Sequence, residues 1–441
     1  MEKFPNLKHL IGILGLTNIA SAGVLSMLPS RELATRAGEP WPYSVIGDSW
    51  GSGVAWKKDL LYDDNKGECL RSKESHGPQL EGDDKWPGFK KTTLHDAACS
   101  GRSFGNIVKG EHQMGQVGSP HLIVMTAGGK QAGFGHIVDA CIYHPDPQHN
   151  YGKAYKDDKD RKGDCAVVLD GALEYINKPA DKPQGLEYDL RKTLDDLFKD
   201  PAVSSSLTSL VYVTGYAQFW GTDYNDWCNT QYWNVPSAVL TPTPYLSKEL
   251  RKTFNDHVAK VNQIYKKVTE DPKYKKQTRF VDVDKGFAGH RFCEPGATYN
   301  DQIDTDTHSK KVYLWNLNYP WKITGQGAPS AEAAEGQISA AEAKDLFKGQ
   351  GVTAWVGSRG DEGNKPENGW RQRPFHPRYS GYTTIKDAIV AQMKADNVPT
   401  LPSSTKPVAP TCSHVGNGKC RCSDGETPDV NEDNQCIAGE L

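Results

Sequence analysis

Short apolar runs punctuate the chain, and each ends in a glycine or polar cluster. Tyr43-Ser44-Val45-Ile46 runs into Gly47-Asp48-Ser49, and Leu122-Ile123-Val124-Met125 runs into Ala127-Gly128-Gly129. Leu210-Val211-Tyr212-Val213 runs into Thr214-Gly215, and Phe280-Val281-Asp282-Val283 is a fourth. Runs of this length and composition predict central strands of a parallel sheet, buried on both faces. Between them the period changes. Leu250, Phe254, Val258, Val261, Tyr265 and Val268 form one apolar stripe on a long helix opened by Ser247 as its cap. Leu186, Leu190, Leu194 and Leu197 repeat the pattern on a shorter helix. Strand alternating with helix predicts a doubly wound α/β domain. In such sheets reactive groups sit beyond the carboxyl ends of the strands, where the Ser49 and Gly128-Gly129 turns both fall.

The N-terminus carries a different pattern. Lys3 and Lys8 precede the apolar stretch Leu10 to Leu16, and Ala20-Ser21-Ala22 follows. Charge, length and small-residue exit site predict a signal peptide over 1–22 and hence secretion. The stretch is too short to span a bilayer. The domain is expected over 23–400, with a surface insertion at 326–351 that includes a short helix, Ser339 to Phe347. The proline-bearing run 401–411 reads as a linker, and 412–441 as a cysteine-rich tail. Ten cysteines in an exported chain are expected to pair. A zinc site is the rival, but the closest pair is Cys420-Arg421-Cys422 and no His-x-x-x-His spacing accompanies it. No Asn-x-Ser/Thr sequon occurs. With a net charge of only −3, no basic face for nucleic acid is implied. The 11 tryptophans and 19 tyrosines fit an aromatic-lined cleft as well as ordinary packing.

Ser49 is the candidate nucleophile. A serine hydroxyl needs a base to take its proton, and a turn after a strand exposes the oxygen while leaving its own amide to face an oxyanion. Gly47-Asp48-Ser49-Trp50-Gly51 also satisfies the Gly-x-Ser-x-Gly elbow of α/β-hydrolases, but it stands on the first strand of the expected mature chain.

The order of four blocks resembles the SGNH (GDSL-type) hydrolases: Gly47-Asp48-Ser49; Ala98-Cys99-Ser100-Gly101; Gly128-Gly129-Lys130-Gln131; and Arg373-Pro374-Phe375-His376-Pro377 with Gly381 beyond. The likeness covers Ser44 to Gly381. It is nearest to the secreted, disulfide-containing esterase and lipase branch with fungal members, through Cys69-Leu70-Arg71-Ser72, Gly77-Pro78 and Gly289-His290-Arg291-Phe292-Cys293-Glu294. The resemblance implies a three-layer α/β/α sandwich of flavodoxin-like type with a central parallel sheet, to which the tail adds a small disulfide-stapled appendage. It implies Ser49 as nucleophile, His376 as base, and Ser49 and Gly101 as oxyanion donors. It also implies the pairings Cys69 with Cys99, Cys141 with Cys165, and Cys228 with Cys293. No metal or organic cofactor is called for. The expected substrate is a small-molecule or lipid ester, or an acylated glycan, with no nucleic-acid partner and no stable membrane insertion.

Two positions depart from that pattern. Lys130 stands where the family has an oxyanion-hole Asn. Its role is open between serving the oxyanion, pointing to solvent and marking a weakened enzyme. Arg373 stands where many relatives have the Asp that orients the histidine. A main-chain carbonyl from Asn368-Gly369-Trp370-Arg371 is expected to hold His376 Nδ1 instead, with Asp361 or Glu362 as side-chain substitutes. The rival functions are a catalytically weakened or dead lipid- or glycan-binding protein of the same fold and a polysaccharide deacetylase.

Overall fold

The computed structural model describes residues 41–63, 69–86, 92–108, 113–118, 120–143, 164–204, 210–222, 226–230, 246–316, 373–396, 412–416 and 419–422. The expectations for the signal peptide, the insertion at 326–351, the linker, the carbonyls of 368–371, and Asp361 and Glu362 lie outside these residues.

Five strands form one parallel sheet: β1 (Trp41–Gly47), β2 (Thr92–Asp96), β3 (Leu122–Thr126), β4 (Leu210–Thr214) and β5 (Thr278–Val281). Their spatial order is β2-β1-β3-β4-β5, the flavodoxin-like order, whose switch point lies between β1 and β3. Every neighbouring pair is parallel, with Gly47 opposite Thr126 at the carboxyl end. Among the described residues the α-helices are α1 (Ser49–Ser52), α2 (His76–Glu81), α3 (Phe104–Val108), α4 (Phe134–Val138), α5 (Asp164–Asn177), α6 (Leu186–Lys199), α7 (Pro201–Ser204), α8 (Lys248–Thr269), α9 (Tyr299–Gln302) and α10 (Tyr379–Ala395).

Alternation along the strands divides the helices into two layers. Tyr43 donates from its hydroxyl to the Gly77 carbonyl of α2 at 2.7 Å, and Tyr212 to Asp396 at the end of α10 at 2.7 Å. The helices α2 and α10 pack together on that face, while α3, α5, α6 and α8 pack on the other. The apolar stripe of α6 is completely buried. The α8 stripe is buried except at half-buried Val258, and Ser247 caps the helix by accepting the Leu250 amide at 3.2 Å. The α/β/α sandwich expected from the sequence is therefore the fold of the chain.

Three details differ from the sequence reading. β2, the polar run Thr92-Thr93-Leu94-His95-Asp96, is an edge strand with a neighbour on one side only among the described residues, so it needs no continuous apolar run. β5 is the opposite edge and lies two residues earlier than the apolar run suggested, because Thr278 and Val281 are its buried positions. The tail contains a hairpin, Cys412–Gly416 with Lys419–Cys422, in which Cys412 pairs with Cys422 across the strands.

Disulfides join Cys69 to Cys99, Cys141 to Cys165 and Cys228 to Cys293. The first ties the segment after α1 to the loop that carries Gly101. Each bridge is worth about 2–4 kcal/mol through the unfolded chain.

Candidate active site

Gly47 makes the turn into Ser49 possible. Its φ is +123°, and a Cβ there would overlap the Thr126 carbonyl of β3. The Asp48 amide donates to that carbonyl at 2.8 Å. Gln113 brackets Gly47 from the other side, accepting its amide at 2.5 Å and donating to its carbonyl at 2.7 Å. The chain then enters α1, so Ser49 is the first residue of a one-turn helix rather than part of an open turn. Asp48 caps that helix by accepting the Trp50 amide at 3.0 Å.

His376 arrives from the opposite end of the chain. Phe375 before it has φ +62°, a left-handed conformation that costs a non-glycine residue of order 1–3 kcal/mol. The surrounding packing holds it there: the Phe375 ring meets Phe219 at 5.3 Å, Phe292 at 5.2 Å and Trp220 at 5.8 Å between centroids. Main-chain bonds from Phe375 N to Trp315 O at 2.6 Å and from Trp315 N to His376 O at 2.9 Å fix both flanks. The His376 ring lies edge-on to Phe134 at 5.6 Å and tilted against Trp50 at 6.4 Å.

The imidazole Nε2 is 2.6 Å from Ser49 Oγ, and Nδ1 is 3.0 Å from the Pro374 carbonyl. A carbonyl only accepts, so Nδ1 carries the proton and Nε2 is left to accept from the serine. Among the described residues the orienting carbonyl is that of Pro374, while the 368–371 stretch named from the sequence lies outside them. A bond from the His376 amide to Arg373 O at 2.9 Å closes a tight turn that brings the Pro374 carbonyl under the ring. Burial pushes the His376 pKa down to about 4, against the raising effect of the Pro374 and Arg373 carbonyls. The imidazole is thus neutral over the ordinary range.

The Arg373 side chain is engaged with two tryptophans. Its guanidinium lies 4.0 Å from the Trp315 ring centroid and 4.4 Å from that of Trp56, nearly completely buried between the two. The faces of the two rings offer a delocalised cation its preferred partner.

Gly101, Lys130 and Ser49 line one pocket. Gly101 has φ +76°. Among the described residues, no main-chain carbonyl takes up the amide of Ser49 or of Gly101. Lys130 is exposed, and its amine donates to the Gly101 carbonyl at 3.0 Å. The ammonium therefore braces the Gly101 loop and adds positive charge at the pocket mouth.

The pocket holds about 330 Å³ and is mainly apolar. Phe134 and Ile137 of α4, Ile176 of α5, and Phe254, Val258 and Val261 of α8 form its walls, with Phe219 and Trp220 beyond β4. Sequence reasoning missed these residues. The segment Tyr216 to Trp220 was findable, because it follows the carboxyl end of a predicted strand. The helical wall was not, since its apolar positions are indistinguishable from core. His290, a loop histidine in the sequence, stacks flat on Tyr313 at 3.9 Å.

Neither a family model nor a curated protein sequence matches the chain. Among solved structures it is similar to an extracellular lipase from Streptomyces rimosus, at 21% identity, covering 67% of this chain and 95% of that one, with a TM-score of 0.42. It is also similar to phospholipase A1 from Streptomyces albidoflavus, at 17% identity, 69% and 95% coverage and a TM-score of 0.43. An acetylxylan esterase from Geobacillus stearothermophilus matches at 9% identity, 83% and 98% coverage and a TM-score of 0.32.

Proposed function

We propose that the chain is a secreted carboxylic ester hydrolase of the SGNH type that works through a Ser49–His376 dyad and an acyl-enzyme. The observation that carries this reading is the 2.6 Å approach of His376 Nε2 to Ser49 Oγ, with Nδ1 committed to a carbonyl, at the mouth of an apolar pocket. The three disulfides support an oxidising destination.

Ser49 Oγ attacks the acyl carbon while His376 Nε2 takes its proton. The carbonyl oxygen becomes an oxyanion faced by the amides of Ser49 and Gly101. The Pro374 carbonyl dipole stabilises the imidazolium in place of the usual carboxylate. His376 then returns the proton to the departing alkoxide, leaving an acyl-serine and a free alcohol. Water repeats the sequence: His376 takes its proton, the acid departs, and Ser49 regains its hydrogen. The acyl chain lies in the apolar pocket and the alcohol faces the mouth, where Lys130 stands. A lipid or short-chain ester suits that division.

Hydrolysis of p-nitrophenyl acetate and butyrate by the wild type and by Ser49→Ala tests the reading. A loss of about 10³-fold or more is expected, the usual scale for removing one member of such a unit. Equal rates would sink the enzyme reading at this site and leave the inactive binding protein. A wild type that cleaves only acetylated polysaccharide would favour the glycan esterase.

A further inference from the structure

Three turns meet beneath Ser49, one from the carboxyl end of each of β1, β3 and β4, and a single side chain joins them. Tyr216 stands two residues after β4. Its hydroxyl donates to Asp48 Oδ2 at 2.5 Å and accepts the Gly129 amide at 2.9 Å. The second Asp48 oxygen accepts the Trp50 amide at 3.0 Å and so caps the helix that begins with Ser49. Tyr216 and Asp48 are buried, at 6% and 4% exposure. The Tyr216 backbone is itself clamped: its amide donates to Asn262 Oδ1 of α8 at 2.9 Å, and Asn262 Nδ2 donates to its carbonyl at 2.8 Å.

The polarity of this chain is forced. An amide N–H can only donate and a carboxylate can only accept, so the group between them must accept on one side and donate on the other. A hydroxyl does both, and a tyrosine ring carries it from β4 to the gap between the other two turns. Gly129 leaves space for it, since a Cβ there would stand 3.3 Å from the hydroxyl oxygen. The Gly129 amide donates to Tyr216 and also faces the Asp48 carboxyl. The turn that ends in Lys130 is tied to Asp48, the residue before Ser49, through this oxygen, beside the approach of the Gly129 amide to the Asp48 carboxyl itself.

We propose that Tyr216 is the positioning residue that registers the Gly128–Lys130 turn against the nucleophile turn, acting through Asp48. The proposal rests on the serine-hydrolase reading above and deepens it. A displacement of about 1 Å at a reacting group can cost about 100-fold in rate. Tyr216→Phe keeps the ring against Trp50, 5.4 Å away between centroids, but leaves a buried amide and a buried carboxylate oxygen without their shared partner.

The test is a double-mutant cycle on a soluble p-nitrophenyl ester. Tyr216→Phe is expected to lower kcat by about tenfold or more and to hold KM within about twofold, the pattern of a lost transition-state alignment. In an Asp48→Asn background the same change should cost less than about threefold, because the link is already broken. Equal costs in the two backgrounds overturn the proposal, as does a Phe variant with unchanged kcat. Amide exchange at Gly129 in the wild type provides a readout independent of activity and of the variant's folding. Strong protection is expected, and exchange at the rate of an open loop overturns the registration. A wild type that cleaves no ester defeats the enzyme reading alone, while the Gly129 measurement still decides whether Tyr216 holds the turn.

Discussion

His376 Nε2 and Ser49 Oγ meet at 2.6 Å although 327 residues separate them in the chain. The imidazole that faces the serine is buried and oriented by a carbonyl, and both facts have measurable consequences.

The pH dependence of kcat/KM should extend well below that of an exposed histidine. Burial lowers the His376 pKa to about 4, so the base stays neutral and competent until pH falls toward that value. Asp48, which burial pushes up to about 6, loses its charge earlier and adds a shallower inflection there. Asp48→Asn should remove the inflection near 6 and leave the final fall near 4. A single limb at 6.5 in both proteins would show that His376 is not the buried base described.

Arg373→Asp should not build a triad. Position 373 directs its side chain to Trp56 and Trp315, while His376 Nδ1 faces Pro374 O. The substitution is expected to cost roughly 2 kcal/mol or more in stability, through the lost cation–π stack and a buried carboxylate. It should give no gain in kcat. Urea unfolding and steady-state kinetics of the variant check both.

Acyl length should be read by the pocket. Each buried methylene contributes about 0.8 kcal/mol, roughly fourfold in kcat/KM, so butyrate should exceed acetate until the chain meets the far wall. Ile137→Trp should shift the optimum to shorter esters without abolishing acetate hydrolysis. A series of p-nitrophenyl esters measures this, and a steady decline from acetate to butyrate in the wild type would refute it.

His76 is a second buried histidine, and its ring nitrogens have no hydrogen-bond partner among the described residues. Burial lowers its pKa to about 4. The unfolded chain takes up the proton first, so His76 and His376 each withdraw stability as pH falls from 6.5 toward 4. The full loss is on the order of 3 kcal/mol per histidine. Asp48 works in the opposite direction over the lower part of that window, since its folded pKa is raised. His76→Phe isolates one histidine: the variant should lose less stability than the wild type between pH 7 and pH 4.5 in urea unfolding.

Much of the architecture was legible because burial writes itself into composition. Strands covered on both faces must be apolar throughout, which marked β1, β3 and β4. Long amphipathic helices must repeat every three to four residues, which marked α6 and α8. The edge strand β2 escaped because an edge is covered less and tolerates Thr92 and Thr93.

The residue types of the site were legible as well, since a serine in a glycine turn and a distant His-Pro are unusual enough to notice together. Their partners were not. Sequence reading sought an orienting carbonyl several residues before His376, but the left-handed Phe375 folds the chain so that Pro374 supplies it. Arg373 looked like a missing triad member and proves to be a packed cation. Tyr216 stands just beyond a predicted strand end, but its partners gave no signal, because its role exists only where three strand ends converge. Local pattern determined which segments are strands and helices and which serine stands at a strand end. Tertiary structure alone decided which atoms face that serine, because hydrogen-bond partners across hundreds of residues depend on angles and distances that no periodicity encodes.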